Sequence, residues 1–329
     1  MERVSALTAP LYEFGRSTAS SAEKRTREQP LPTLAAAAAG GLLTGYLVSK
    51  LVGYALGNAS GKSIIEVNKG SSKGRPRLTR IYFLRHGEST NNVRSDEAFR
   101  EPDPSLTTLG HQQAANIGNY LSKLAAYYNF KHVYVSPMKK TLATAAPLTS
   151  FLKAAPSTAG IHCEAHPLLY EYGGLFDEKY GSSTGLTRKE MREMAPYVKL
   201  PEDTDAKLSF PFPGSDSEGW YAVNAKETNK NYLARVKQLA SWLWSLDDAS
   251  LLVTHGKLMD TVVKVLLNVP NAFESNSPCI FLHGGCAFSC VELDHETGKV
   301  GVMYLNQPIV SESRLRTGHK IAGFSLKQW

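Results

Sequence analysis

An Arg-His pair stands behind an apolar run near residue 85, where a strand would open into a loop. Residues 81–84 are Ile-Tyr-Phe-Leu, and Arg85 and His86 follow directly, ahead of Gly-Glu. The loops that follow strands are where open α/β sheets bind ligands. An imidazole can attack phosphorus and carry the phosphoryl group covalently, and a guanidinium matches the geometry of phosphate oxygens. The pair predicts phosphoryl-transfer chemistry, against the simpler interpretation of a strand end with a solvated arginine.

Further motifs follow this pair in a fixed order. They are Leu106-Thr107-Thr108-Leu109-Gly110, Tyr134-Val135-Ser136-Pro137, Glu171 ahead of Gly173-Gly174, and Val253-Thr254-His255-Gly256. Together with the Arg-His pair, they resemble the histidine phosphatase superfamily, the phosphoglycerate-mutase-like proteins, over residues 79–320. The resemblance implies an α/β fold, a layered α/β/α sandwich with a mostly parallel central sheet. It also implies a covalent phosphohistidine intermediate that needs no metal ion and no organic cofactor.

The resemblance assigns roles to four catalytic residues. His86 is the nucleophile, and Arg85 holds the phosphate oxygens and spreads the charge of the transition state. His255 is the second histidine, which hydrogen-bonds the phosphoryl group. Glu171 is the general acid that protonates the leaving oxygen and then activates water. Asp177 is the alternative acid, because acidic residues move between positions in this superfamily.

Two further positions match the phosphate-binding residues of the superfamily. Asn92 matches a polar residue that touches the phosphate, although it could be a simple turn residue. Lys140 stands where the superfamily usually has arginine. Lysine keeps the positive charge but loses the bidentate fork. The departure predicts reduced turnover, and it leaves open a degenerate scaffold that binds a phosphorylated partner without hydrolysing it.

The residues after Glu171 favour a phosphomonoester hydrolase over a mutase. Mutases that resemble this family carry Glu-Arg-His-Tyr-Gly around the acid, whereas this chain has Glu171-Tyr172-Gly173. The missing arginine would remove a ligand for the substrate carboxylate. A phosphoglycerate mutase stays the alternative enzyme. The substrate is predicted to be a phosphorylated small molecule or a phosphoprotein, and its identity stays open.

From residue 80 onward, apolar strands alternate with amphipathic helices, which is typical of a layered α/β sheet. The predicted strands are 80–84, 131–135, 161–165, 250–254, 285–293 and 300–305. The predicted helices are 107–128, 139–152, 187–195, 225–246 and 257–267. Residues 196–222 are rich in Pro, Asp and Ser and predict a surface insertion, for which a lid over the site is one interpretation.

The N-terminal quarter of the chain has a different composition. Residues 1–33 lack periodicity and predict a disordered segment, residues 34–57 predict a membrane-spanning helix, and residues 58–78 form a basic linker ahead of a catalytic domain at 79–329. The apolar run is long enough to cross a bilayer, and an alanine-rich soluble helix or the tail of a targeting peptide is the alternative. Small residues recur at every fourth position, which favours homo-oligomers through close helix packing: Ala37, Gly41, Gly45, Ser49, Gly53 and Gly57.

The positive charge of the chain lies mainly beside the predicted membrane segment. The net charge is +7, and lysines and arginines concentrate at 62–80. This predicts a single-pass membrane protein whose catalytic domain faces the cytosol or the matrix. Basic residues interleaved with aromatics are missing, so no nucleic-acid partner is predicted. The cysteines have no metal-ligand spacing, which favours a reduced compartment and no metal site: Cys163, Cys279, Cys286 and Cys290.

Overall fold

The computed structural model describes the catalytic part of the chain. The described residues are 77–93, 100–201, 214–223, 225–246 and 249–308, with the backbone of 320–321 and 324–325. The predicted segments 1–33 and 34–57, and the linker up to residue 76, lie outside them. Within the described part, no helix is both long and apolar enough to cross a membrane.

A six-stranded sheet forms the centre of the fold. In chain order the strands are β1 (Leu78–Arg85), β2 (His132–Val135), β3 (His162–Ala165), β4 (Phe176–Asp177), β5 (Gly181–Ser182), β6 (Ser250–Thr254), β7 (Ala287–Asp294), β8 (Lys299–Pro308), β9 (Lys320–Ile321) and β10 (Phe324–Ser325). The sheet order is β3-β2-β6-β1-β7-β8, while β4 pairs with β5 and β9 with β10 as separate short ladders. β7 runs antiparallel to both of its neighbours and the remaining pairs are parallel. The predicted mostly parallel sheet is confirmed.

Helices fill the connections between the strands. They are α1 (Thr90–Val93), α2 (Thr108–Lys123), α3 (Ala125–Tyr128), α4 (Lys139–Ala154), α5 (Arg188–Met194), α6 (Asn229–Leu243) and α7 (Gly256–Leu266). The helix predicted over 107–128 divides at Leu124, whose φ of −103° and ψ of 13° leave helical geometry. The other predicted helices and the predicted strands are confirmed to within a few residues. The sequence signals missed the short elements, α1 and the β4–β5 hairpin.

The side chains of β1 alternate between two hydrophobic cores. Tyr82 and Leu84 face one core, which includes apolar residues of α2 and α4. Ile81 and Phe83 face the other, which includes apolar residues of α6 and α7. Each fully buried side chain of this size contributes about 1.5–3 kcal/mol. Helices therefore cover both faces of the sheet, and the α/β/α sandwich is confirmed.

The predicted surface insertion at 196–222 is wrong at its C-terminal end. Trp220 and Tyr221 are 2% and 4% exposed, and their rings contact Tyr170 at centroid distances of 5.8 and 5.7 Å. Gly219 lets this segment approach the chain, because a Cβ there would overlap the carbonyl oxygen of Thr184. The Pro- and Ser-rich composition indicates irregular backbone, but it does not exclude burial of the aromatic residues within it. Residues 202–213 of this segment lie outside the part of the chain that the structure describes.

Candidate active site

Parallel pairing of β1 with β6 brings the two predicted site histidines together. Arg85 is opposite Thr254 in the register, so His86 and His255 both follow the ends of adjacent strands. The backbone N–H of His86 donates to the carbonyl of Thr254 at 3.0 Å. The two imidazole centroids lie 5.3 Å apart. The carboxyl edge of the sheet therefore holds both rings in one buried cleft.

His86 has one ring nitrogen engaged by its own loop. Its Nδ1 lies 2.6 Å from the carbonyl oxygen of Gly87, which can only accept, so Nδ1 carries the proton and donates. Burial, followed by the charges of Lys140 and Arg85, holds the pKa of His86 well below its usual value. The imidazole is therefore neutral, and its Nε2 keeps a lone pair.

The loop that carries His86 is braced by the start of α2. Thr107 caps this helix by accepting the N–H of Gly110 at 3.0 Å, and its hydroxyl donates to Glu88 Oε1 at 2.7 Å. A Cβ on Gly110 would overlap the carbonyl oxygen of Glu88. The Leu-Thr-Thr-Leu-Gly motif thus fixes the backbone behind the histidine.

Ser136 orients the second histidine. Its Oγ lies 2.8 Å from His255 Nε2, and the N–H of Met138 donates to the same oxygen at 3.5 Å. A hydroxyl proton directed at Nε2 leaves the ring proton on Nδ1, which is buried and makes no hydrogen bond in the structure. Burial and the charge of Lys140 hold the pKa of His255 well below its usual value. His255 is therefore a neutral ring, and in this tautomer its Nδ1–H is available to an oxyanion.

Two cations, the half-buried Arg85 and the buried Lys140, face these neutral rings. Arg85 donates from Nη1 to the carbonyl of His283 at 2.7 Å, while its Nε is buried and makes no hydrogen bond. Lys140, in the first turn of α4, is 8% exposed. Burial lowers the pKa of each, and the charge of Glu171 opposes that shift. Charges in such surroundings are costly without a counter-ion, so the cleft is electrostatically prepared for an anion.

Glu171 joins the two histidines, and Asp177 does not. One side-chain atom each of His86, Glu171 and His255 lie within 4.8 Å of one another. The N–H of Tyr172 donates to Glu171 Oε1 at 3.0 Å. Asp177 instead accepts hydrogen bonds from the backbone N–H groups of the β4–β5 turn, at 2.8 and 3.1 Å.

The two histidines and Glu171 could together ligate a metal ion, but the positive charges of Arg85 and Lys140 disfavour a cation here.

Comparison with known proteins identifies the architecture around this cleft. The sequence profile of the histidine phosphatase superfamily (branch 1) matches residues 81–306. The chain belongs to this superfamily. It is a phosphatase enzyme by class.

Solved structures and one curated protein are similar to parts of this histidine phosphatase. Ecdysone phosphate phosphatase from Bombix mori, in complex with tungstate, has 17% identity and a TM-score of 0.46, covering 74% of this chain and 97% of that one. Mycobacterial glucosyl-3-phosphoglycerate phosphatase has 22% identity and a TM-score of 0.45, covering 70% and 100%. PE-PGRS family protein PE_PGRS11 of Mycobacterium tuberculosis (strain ATCC 25618 / H37Rv) is 35% identical over 91 residues, 28% of this chain. The match spans only 15% of that protein's length.

In this histidine phosphatase, Asn92 makes a structural contact in the turn where it lies, one of the two roles that its sequence position allowed. Its Oδ1 accepts the N–H and the hydroxyl of Ser89, both at 2.9 Å. The amide oxygen therefore closes the turn at the start of α1. Only the NH₂ end of the side chain could serve the predicted phosphate contact.

A buried ion pair behind the acid was not found from the sequence. Arg235 on α6 makes a bidentate pair with Glu227 at 2.8 and 2.7 Å, and both side chains are about 6% exposed or less. Arg235 also donates to the carbonyls of Leu168 and Tyr170 at 2.8 and 2.9 Å, and its guanidinium lies 3.6 Å from the Tyr170 ring centroid. The segment leading into Glu171 is thereby held by α6. A charged residue within the apolar stripe of this helix was the available signal.

Asp103 caps α4 from a distant loop. Its Oδ1 accepts the N–H of Lys139 at 3.0 Å, while the N-cap residue Met138 makes no side-chain cap. Burial raises the pKa of Asp103 to about 6. The folded state therefore binds this proton more tightly than the unfolded state, and stability from it is lost as the pH rises through about 6.

Asp103→Asn should stabilise this protein at neutral pH. The amide keeps an oxygen for Lys139 but removes the buried charge, so the gain should be about 1–3 kcal/mol at pH 7.5 and should shrink toward pH 4. Urea unfolding of the wild type and the variant at several pH values measures it. Equal effects at pH 4.5 and 7.5 would contradict the assignment. Asp216→Asn, at an exposed carboxylate, is the control.

Proposed function

We propose that this protein hydrolyses phosphomonoesters through a covalent phosphohistidine on His86. The observation that carries the proposal is the hydrogen bond from His86 Nδ1 to the Gly87 carbonyl at 2.6 Å. It leaves Nε2 as the nucleophilic atom of a neutral ring in a cleft that also holds the cations Arg85 and Lys140. The proposal needs no metal ion and no organic cofactor. Phosphorylated small molecules and phosphoproteins are both candidate substrates.

In the first step, the Nε2 lone pair of His86 attacks phosphorus and the bond to the leaving oxygen breaks. The Glu171 carboxylic acid gives its proton to that oxygen, and the alcohol leaves. Arg85 and Lys140 stabilise the negative charge on the transferring group, and His255 donates a hydrogen bond to it. Lys140 does this as a point charge, since it lacks the planar fork of arginine.

In the second step, Glu171 acts as the base. Its carboxylate takes a proton from water, and the water oxygen attacks phosphorus. The phosphorus–nitrogen bond breaks, and the electron pair returns to Nε2. Inorganic phosphate leaves, and both the imidazole and the carboxylic acid are restored.

Rapid-quench labelling of the full-length protein tests the proposal. A ³²P-labelled aryl phosphate should give an acid-labile, base-stable phosphoenzyme whose label maps to His86. Binding of the phosphate ester without label or product would instead support the scaffold alternative. Phosphoryl transfer that requires 2,3-bisphosphoglycerate would support the mutase alternative.

Membrane attachment through residues 34–57 is a separate part of the proposal, with the catalytic domain on the cytosolic or matrix side. Its support is the length and apolarity of the segment and the basic residues at 62–80. Alkaline extraction of membranes should leave the wild type in the pellet and release a Leu42→Arg/Leu47→Arg variant. Gly45→Ile should weaken self-association of the segment if its small residues form a helix contact.

A further inference from the structure

A lysine stands at the start of α7, two residues beyond His255. The Nζ atom of Lys257 lies over the Phe273 ring, 4.8 Å from its centroid. The side chain is half-buried, and burial is the largest cause of its lowered pKa, with the charges of Asp260 and Glu171 acting in the opposite direction. Lys257 therefore carries a partly desolvated charge within the electrostatic reach of the catalytic acid. The proposed mechanism gives this ammonium no role.

Three aromatic rings connect Lys257 to the acid. Phe273 contacts Tyr172 at a centroid distance of 4.9 Å and Tyr232 at 4.8 Å, and Tyr172 contacts Tyr232 at 5.0 Å. Tyr172 directly follows Glu171, and its hydroxyl donates to Asn229 Oδ1 at 2.8 Å. Tyr232 is fully buried, while Tyr172 and Phe273 are half-buried. The rings form a fixed wall that runs from the acid to the ammonium.

The nearby carboxylate does not neutralise Lys257. Asp260 accepts from Lys264 Nζ at 2.9 Å with one oxygen and from the N–H of Phe281 at 2.8 Å with the other. Across the part of the chain that the structure describes, no carboxylate forms an ion pair with Lys257. A half-buried ammonium in these surroundings favours an external anion.

The position of Glu171 determines which part of a substrate would contact the aromatic wall of Tyr172, Tyr232 and Phe273. Glu171 must contact the leaving oxygen to protonate it, so groups beside the acid face the leaving group and not the phosphoryl group. We propose that Lys257, Tyr172 and Phe273 form a leaving-group subsite, which selects phosphomonoesters whose leaving group carries a planar ring and a second negative charge. The rings supply apolar and stacking contact, and the ammonium supplies a charge-assisted hydrogen bond. This inference rests on the proposed hydrolase function and on Glu171 as the acid.

The first experiment measures binding and therefore does not depend on turnover. Calorimetry with the full-length protein compares 4-carboxybenzylphosphonate with benzylphosphonate, which differ only in the second anion. The wild type should bind the carboxylated compound about tenfold more tightly, the lower end of what one hydrogen bond to a charged group contributes. In Lys257→Met this ratio should fall to about one, and in Lys257→Arg it should be retained.

A matched charge control separates the local contact from general electrostatics. Lys237→Met removes a positive charge from an exposed position on α6 and should keep the tenfold ratio. Phe273→Leu should weaken both phosphonates, since both present a ring. A ratio near one in the wild type, or an unchanged ratio in Lys257→Met, would overturn the subsite.

Turnover distinguishes failure of the subsite from failure of the proposed function. The wild type should hydrolyse 4-carboxyphenyl phosphate with a higher kcat/KM than phenyl phosphate, chiefly through KM. Hydrolysis of both with equal kcat/KM, together with a labelled His86, would reject the subsite and leave the hydrolase function standing. Selective phosphonate binding without hydrolysis of either ester would reject the function and keep an anion-selective binding site.

Discussion

His86→Ala should lower the kcat for p-nitrophenyl phosphate by about 10⁴-fold or more, the size seen when a covalent nucleophile is removed. The variant loses the buried ring whose Nδ1 is fixed by the Gly87 carbonyl. Arg85 and Lys140, the proposed partners of the anion, stay in place, so water would have to attack phosphorus without a covalent intermediate. Initial rates under saturating substrate, with the full-length protein, measure the loss.

The control for this variant is another histidine of the same fold. His111 is exposed on α2, so His111→Ala should keep activity within about twofold of the wild type, as surface substitutions usually do. Because His86 lies in a packed loop, binding of inorganic phosphate to the His86→Ala protein checks that the cleft has formed. Near-normal turnover in a protein that still binds phosphate would remove His86 from the mechanism.

The meeting of the two histidines could be predicted from the sequence. Both follow short apolar strands, and the carboxyl ends of parallel strands lie at one edge of a sheet. The β1–β6 register places Arg85 opposite Thr254, so the residues after these strands had to be neighbours. The continuous apolar run at residues 81–84 likewise indicates a strand that is buried on both faces, as helices on both faces of the sheet require.

The supporting contacts of the site could not be predicted in the same way. Ser136 stands in a recognised motif, but its hydrogen bond to His255 crosses 119 positions of sequence. Arg235 looks like an interruption of an apolar stripe until the fold places the carbonyls of Leu168 and Tyr170 against it. A side chain's partners depend on tertiary approach, which periodicity within one element does not encode.

The resemblance assigned the acid role to Glu171 and kept Asp177 as the alternative, and the packing of the fold distinguishes the two. Glu171 and Asp177 are both loop carboxylates in sequence, with the same chemistry available to each. In the fold, Arg235 and Glu227 hold the backbone just before Glu171, which brings that carboxylate to the histidines. The Oδ1 atom of Asp177 instead accepts hydrogen bonds from backbone N–H groups of its own turn. The structure therefore favours Glu171 for the proposed role.

Glu171→Gln should produce a loss of activity that depends on the leaving group. The amide keeps an oxygen for the N–H of Tyr172, so the loop should stay in place, but it can neither protonate the leaving oxygen nor take a proton from water. For phenyl phosphate, a poor leaving group, kcat should fall by about 10²–10⁴-fold, the usual contribution of a general acid.

A substrate with a good leaving group should separate the two proposed roles of Glu171, as general acid in the first step and as general base in the second. With 2,4-dinitrophenyl phosphate, formation of the phosphohistidine needs little protonation, whereas its hydrolysis still needs a base. Glu171→Gln should then release a burst of about one dinitrophenolate per site and accumulate the labelled enzyme, which stopped-flow absorbance and quench labelling record together. Asp177→Asn, the same change of charge at the alternative acid, should show neither the burst nor the large loss with phenyl phosphate. The reverse pattern would move the acid to Asp177, because accumulation of a phosphoenzyme identifies the residue that activates water.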